Sequence, residues 1–221
     1  MVHFFNAIVN YLHQKDLFLR NYKKENNKYH NKLKLLIVDN YDSFTFNLVQ
    51  IVEQMGCNDF DIVKNDQLEI EAIIIYDKIL ISPGPGLPKE CGKLMELLET
   101  YHQTKSILGI CIGFQAIAEY FGAELKRFEA PFHGISSKIK FISPKDLIFQ
   151  GMKDEILVGR YHSWYVKNEF LPEVITVTAI DENCVVMAFK HREFDVRGVQ
   201  FHPESIMTPE GSKIIENWLF S

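Results

Sequence analysis

Several classes of protein are excluded by what this sequence lacks. No stretch approaches the roughly 18 consecutive apolar residues of a membrane-spanning helix, so no membrane association is expected. The chain has four cysteines in 221 residues, Cys57, Cys91, Cys111 and Cys184, and no CxxC spacing. That is too sparse for a disulfide-stapled secreted scaffold and predicts a reducing, cytoplasmic setting. Charge of one sign is also scarce. A formal net charge of −5, with lysine and arginine scattered beyond the first 34 residues, gives no electrostatic reason to expect nucleic acid. The glycine-rich segments fit neither G-x-x-x-x-G-K-[ST] nor G-x-G-x-x-G, so no nucleotide cofactor is predicted. Apart from the H-P-E triplet at 202–204, no His/Cys/Asp cluster has metal-ligand spacing, so no metal is expected.

What remains is a soluble globular composition, 47% apolar and 24% charged, at a length that suits one α/β domain. Residues 1–32 stand apart as an N-terminal extension. "MVHFFNAIVNYLHQKDLFLR" has the spacing of a short amphipathic helix, and "NYKKENNKYHNK" reads as a polar linker. The segment has no basic start or small-residue cleavage site for a signal peptide. It contains acidic residues and no serine, unlike a transit peptide.

From residue 33 to 221 short apolar runs alternate with helical periodicity, which predicts strands and helices in βα order. "LKLLIVD", "DFDIVKN", "KILIS" and "SILGI" read as strands. "SFTFNLVQIVEQM" reads as a helix with Phe44, Leu48, Ile51, Val52 and Met55 on one face and Asp42 or Ser43 as N-cap. "QLEIEAIIIY" reads as a short helix, and a further helix places Cys91, Leu94, Met95 and Leu98 together. The second half is richer in strands: "ISSKIKFI", "EILVGRYHSWYV", "EVITVTAI", "CVVMAFKH" and "DVRGVQFH". A last helix buries Ile214, Ile215, Trp218 and Leu219. The expected architecture is therefore α/β: a mixed, mostly parallel central sheet flanked by helices, with an added antiparallel portion.

Three segments carry chemistry. In "GICIG", Gly109 and Gly113 flank Cys111 with the build of a nucleophile elbow, a sharp strand-to-helix turn. Such a turn would lift the thiol into a site beside a helix N-terminus, where negative charge on sulfur is stabilised. A buried structural cysteine would give the same pattern. "GVQFHPES" offers a base and its orienting partner: in an extended segment His202 and Glu204 would point the same way, with Pro203 stiffening the link. A strand-end histidine beside a solvated glutamate, or half of a metal site, are the plainer readings. In "SPGPG", Gly84 and Gly86 would bring backbone N–H groups close to a bound carbonyl, with Pro85 holding the loop rigid. One of these, with the N–H of Ile112, would form an oxyanion hole. Taken alone, the segment is a tight loop.

In combination the motifs say more. "LLIVDNYDSFTFNLVQ", "ISPGPGLP", "GICIGFQAIAEYFG", His133-Gly134, "RYHSWYV" and "VQFHPESIMTPEG", in this order over residues 33–221, resemble the class I (triad-type) glutamine amidotransferases. The likeness is greatest to the small glutaminase subunits of anthranilate synthase and aminodeoxychorismate synthase. It implies that Cys111, His202 and Glu204 form a triad, and that Gly84, Pro85 and Gly86 shape the glutamine and oxyanion site. It also implies that Gln115 and the Ser163-Trp164 backbone hold the amino-acid end of glutamine.

The implied activity is hydrolysis of L-glutamine through a cysteinyl thioester. Ammonia released into bulk water at neutral pH would mostly be protonated, so it must pass directly to an acceptor site. No such site is visible in this sequence. A chorismate-binding synthase large subunit is the implied partner, in tryptophan synthesis first and in folate synthesis as the alternative. A stand-alone γ-glutamyl hydrolase and a non-catalytic subunit of the same fold are the competing readings. Two positions depart from the family pattern: Phe114, where histidine is common, and Trp164, where leucine is commoner. Neither change removes a reacting atom. Small subunits of this kind normally begin near Leu33-Lys34, so two readings of residues 1–32 stand side by side: a weakly ordered extension, or a translation start at Leu33-Lys34. Mass spectrometry of the native protein separates them, and peptides from residues 1–30 would overturn the later start.

Overall fold

Runs of aliphatic residues that are covered on both faces form the centre of the sheet. In the computed structural model, which describes residues 33–142, 145–169 and 171–221, the first is β1 (Leu35–Asp39), buried along nearly its whole length. The expected helix and linker of the N-terminal extension lie outside the described residues. β1 leads through α1 (Thr45–Gln54) to β2 (Phe60–Lys64), then through a short 3₁₀ turn at Ile70–Ile75 to β3 (Lys78–Ile81). α2 (Leu94–Tyr101), β4 (Ser106–Ile110) and α3 (Ile112–Tyr120) follow. Then come β5 (Leu125–Arg127), β6 (Ile135–Phe141), β7 (Glu155–Arg160) and β8 (Trp164–Val166). The chain finishes with β9 (Ile175–Asp181), β10 (Val186–His191), β11 (Val196–Val199) and α4 (Gly211–Leu219).

Nine strands form one sheet in the order β2-β1-β3-β4-β11-β10-β9-β6-β7, and β5 pairs with β8 in a small second sheet. β1 is parallel to β2 and β3, β4 is parallel to β3, and β11 is parallel to β4. β10 and β6 run antiparallel to their neighbours, so in this sheet they alone oppose the common direction. This is the mixed, mostly parallel sheet expected from the sequence. α1 and α4 cover one face with Leu48, Val52, Ile214, Ile215 and Trp218. α2 and α3 cover the other with Leu94, Leu98, Phe114 and Ile117. Each such side chain contributes about 1.5–3 kcal/mol by leaving water.

The order β2-β1-β3 places a topological switch point between β1 and β3, where a crevice opens beyond the strand carboxyl ends. Two hydrogen bonds tie its walls together: Asn40 N donates to Ser82 Oγ at 3.0 Å, and Asn40 Nδ2 donates to Ser82 O at 2.7 Å. At the far edge β7 curls back, and the amide of His202 donates to Gly159 O at 3.0 Å. The antiparallel half therefore returns to the end of β11.

Several local expectations change. α1 begins with Phe44 at its N-cap and no side-chain cap. Asp42 instead accepts the Phe44 amide at 2.8 Å, an Asx turn that starts the helix. Phe44 leaves the apolar face and packs beside His202, while Val49 takes a buried place. Cys91 precedes α2, at the end of the 3₁₀ turn Pro88–Glu90. "EILVGRYHSWYV" is not one strand. It breaks after Arg160, with β7 in the large sheet and β8 in the small one. β5, only three residues long, carries no readable alternation.

α4 begins against the segment that carries His202: a Cβ on Gly211 would lie 1.9 Å from the carbonyl oxygen of Pro203. Gly211→Ala is expected to lower stability by at least about 2 kcal/mol, seen as an earlier urea midpoint.

Candidate active site

β4 cannot turn into α3 with ordinary side chains. A Cβ on Gly109 would lie 2.4 Å from the backbone carbon of Gly113, and one on Gly113 would lie 2.7 Å from Ile81 O. Between these glycines Cys111 adopts φ 52° and ψ −99°, a conformation that costs a non-glycine residue about 1–3 kcal/mol. The strain is held by the Cys111 amide, which donates to Val199 O at 2.9 Å. The first helical bond, from Gln115 N to Cys111 O at 3.0 Å, also holds it. The sulfur is thus placed at the start of α3, whose first amides have no intrahelical acceptor.

The imidazole comes from the exit of β11. The structure differs here from the extended segment expected. Ser205 N donates to His202 O at 3.2 Å, closing a turn with Pro203 and Glu204 at its centre. Proline's fixed φ suits the first central position of such a turn. The pair still meets, with His202 Nδ1 2.7 Å from Glu204 Oε1, both side chains almost wholly buried. The other ring nitrogen, Nε2, is buried without a hydrogen-bond partner among the described residues. Burial opposes a charge on this ring. The Cys111 sulfur first, and Glu204 second, outweigh it and raise the imidazole's affinity for a proton above the ordinary value. Phe44 and Tyr161 flank the ring at 5.2 and 5.0 Å between centroids.

A cavity of about 310 Å³ lies in front of the sulfur. Cys111, Gly84, Pro85, Gly86, Ile112, Gln115, Ser163 and Trp164 all line it, so the sequence-predicted binding residues converge on one space with His202 and Glu204 behind. Gly84 is pressed against its neighbours: a Cβ there would be 2.5 Å from Asn40 Cβ and 3.2 Å from Ile112 Cγ2. Gly86 has φ +82°, which glycine adopts without strain.

On the opposite wall Gln115 Nε2 donates to Trp164 O and to Gln200 Oε1, each at 3.0 Å. Trp164 O also accepts from His162 Nδ1 at 2.7 Å. The Nε2 of His162 accepts from Arg160 Nε at 3.1 Å, which fixes the tautomer. Burial, with the neighbouring guanidinium second, lowers the pKa of His162 to about 3 and keeps it neutral. Arg160 is itself paired with buried Asp181 at 2.7 Å and lies 3.7 Å from the Phe132 ring centroid.

Sequence reasoning missed Leu87, Glu90, Arg127, Tyr161 and His162 on the cavity wall, and Gln200 behind it. His162 and Gln200 stand inside motifs already singled out, two places or fewer from residues that were chosen. Arg127 lies on β5 and has no signal of its own. Phe114 is buried, packs on Phe189 at 4.7 Å between ring centroids and closes over Gly198. It faces the sheet, so its difference from the family pattern does not reach the cavity. Among the described residues no group of three or more His, Cys, Asp or Glu is placed to hold a metal. No helix there is long and apolar enough to cross a membrane.

Residues 36–221 match the family described as glutamine amidotransferase class-I. The chain belongs to the class I glutamine amidotransferases. It is 40% identical over 187 residues to the aminodeoxychorismate/anthranilate synthase component 2 of Bacillus subtilis, covering 84% of this chain and 95% of that one. It is 40% identical over 193 residues to anthranilate synthase component 2 of Pseudomonas aeruginosa, covering 84% and 94%. A solved glutamine amidotransferase of Thermotoga maritima shares the fold, with a TM-score of 0.70 over 86% of this chain and 99% of its own, at 16% identity.

In this amidotransferase, replacing the sulfur should expose the effect of burial on His202. In Cys111→Ala the titration midpoint of that imidazole, followed by NMR, is expected to move down from its wild-type position. An unchanged midpoint would show that the sulfur does not set it.

Proposed function

We propose that this chain is the glutaminase subunit of a chorismate-using synthase, hydrolysing L-glutamine and delivering ammonia to the partner's site. The observation that carries the reading is the cavity in which Cys111 meets the 84–86 loop and the Gln115–Trp164 wall, with the buried His202–Glu204 pair behind it and the imidazole under the influence of the sulfur. Each side of that space suits a different part of glutamine.

The amino-acid end lies against β8. Phe128 N donates to Ser163 O and Lys167 N to Glu124 O, which sets the ladder so that Trp164 directs both its N–H and its carbonyl away from β5. The carbonyl is taken by Gln115 and His162, which leaves the N–H as a donor for the substrate carboxylate. Gln115 has committed its Nε2 and keeps Oε1 as an acceptor for the substrate ammonium.

At the other end the Cys111 thiolate attacks the side-chain amide carbon, forming the C–S bond while the carbonyl π pair moves to oxygen. The Ile112 N–H, with an amide of the 84–86 loop, stabilises that oxygen. Pro85 has no N–H, so the loop's donors are Gly84 and Gly86. Losing one such donor costs about 10²–10³ in rate. His202, charged and held by Glu204, gives its proton to the departing nitrogen as the C–N bond breaks, leaving a γ-glutamyl thioester and ammonia. The neutral imidazole then takes a proton from water as the water attacks the thioester, releasing glutamate and the thiolate.

The partner reading has its own support. Tyr41, Phe46 and Ile206, the last 96% exposed, all follow strand carboxyl ends on the side where the cavity opens, a natural face for a synthase subunit. Anthranilate is the expected product. Aminodeoxychorismate is the alternative, because the Bacillus subtilis relative is named for both. A cytoplasmic location agrees with four free thiols in the described chain.

The test uses the assembled complex. Cys111→Ala is expected to cut glutamine-dependent aromatic synthesis by about 10⁴ or more while ammonia-dependent synthesis persists, and identifying the product names the branch. Glutamine-dependent synthesis that survives the substitution would refute the assignment.

A further inference from the structure

Gln200 lies between two residues already placed in the site, and its own side chain is entirely buried. Its backbone amide donates to Met187 O at 2.8 Å, so β10 fixes the position of its Cα. The side chain bridges two groups. Its Nε2 donates to Cys111 Sγ at 3.8 Å, and its Oε1 accepts from Gln115 Nε2 at 3.0 Å. A buried primary amide without partners would cost about 1–3 kcal/mol, so these two contacts are what make a glutamine tolerable at a fully enclosed position. One partner bears the sulfur, and the other lines the cavity where the amino-acid end of glutamine is proposed to lie.

We propose that Gln200 is a positioning residue that links the glutamine-binding wall to the sulfur, orienting the thiolate and holding Gln115 at once. This rests on the glutaminase reading above and deepens it. An N–H aimed at sulfur favours the anion and restricts it to one rotamer. The carbonyl end of the same amide anchors Gln115 Nε2, so that Gln115 Oε1 faces the ligand. Hydrogen bonds in series polarise one another, and a ligand ammonium on Gln115 Oε1 would strengthen the run Gln115–Gln200–Cys111. The two functions separate by chemistry: the sulfur needs the donor end of Gln200 and Gln115 needs the acceptor end.

Two variants use that separation. Gln200→Met keeps the volume and removes both ends. Gln200→Glu keeps an acceptor for Gln115, removes the amide donor and brings a carboxylate toward the sulfur. Alkylation of Cys111 by iodoacetamide, in the full chain without glutamine, reads the sulfur alone. In both variants it is expected to be about tenfold slower at neutral pH and to converge with wild type at alkaline pH, where the thiolate forms regardless. Glutamine hydrolysis in the assembled complex reads the wall. KM is expected to rise about tenfold in Gln200→Met and far less in Gln200→Glu, with kcat reduced in both.

A purely structural role would lower the unfolding midpoint without the pH-dependent convergence or the split in KM. Should Gln200→Met not fold, Gln200→Glu carries the alkylation measurement. Folded variants that alkylate like wild type at neutral pH would overturn the proposal, as would equal KM values in the two. Failure of the underlying reading looks different: Cys111→Ser would retain glutamine hydrolysis, whatever residue 200 is.

Discussion

Backbone presses directly on backbone where β4 becomes α3, and the rest of the site is arranged around that contact. Gly109 and Gly113 approach so closely that neither has room for a methyl group, and Gly113 lies against the end of β3. The squeeze forces Cys111 into a left-handed backbone conformation, which turns its side chain out of the α3 packing and into the cavity. An ordinary helix start would have sent the same sulfur into the sheet, where Phe114 lies. Strain at one residue is tolerated because two neighbouring elements over-determine it, through the Val199 carbonyl and the first bond of α3.

The parallel and antiparallel halves of the sheet supply different parts of the chemistry. The parallel half delivers the loop after β3 and the sulfur after β4, both at strand carboxyl ends beside the switch point. The antiparallel half delivers the wall, through the break after β7 that sends Trp164 into a separate sheet. There the buried Asp181–Arg160 pair holds a neutral His162, and His162 holds a carbonyl. Taking two charges out of water is costly, and replacing such a pair by apolar residues often stabilises a protein. Here Arg160 does what an apolar residue could not, by fixing which nitrogen of His162 carries the proton.

The legible parts of the sequence were those where one residue type has one physical use. Aliphatic runs marked β1, β3 and β4, and the paired glycines around Cys111 announced the turn, because only glycine permits the approach that is observed. The H-P-E triplet announced a histidine held by a carboxylate, although the segment is a turn and not a strand. What escaped notice depends on contacts between distant residues. Nothing local in "RYHSWYV" marks where the strand must break, since the break is set by β8 pairing with β5 some forty residues earlier. Gln200 reads as one more polar residue in a strand until Gln115 and Cys111 are seen on either side of it. Phe44 fits the apolar face of α1 by spacing, yet it stands at the N-cap, off that face, with its ring edge-on to His202.

The bridge between Gly159 and His202 joins the outermost strand of one edge to the middle of the sheet. A partly opened chain that released β7 would free the imidazole's own amide and let the ring drift from the sulfur. The parallel half could still remain folded, since its strands pair among themselves. Such a species would keep most of its shape while the candidate site came apart, so local opening at this edge would separate the ring from the sulfur without unfolding the whole chain.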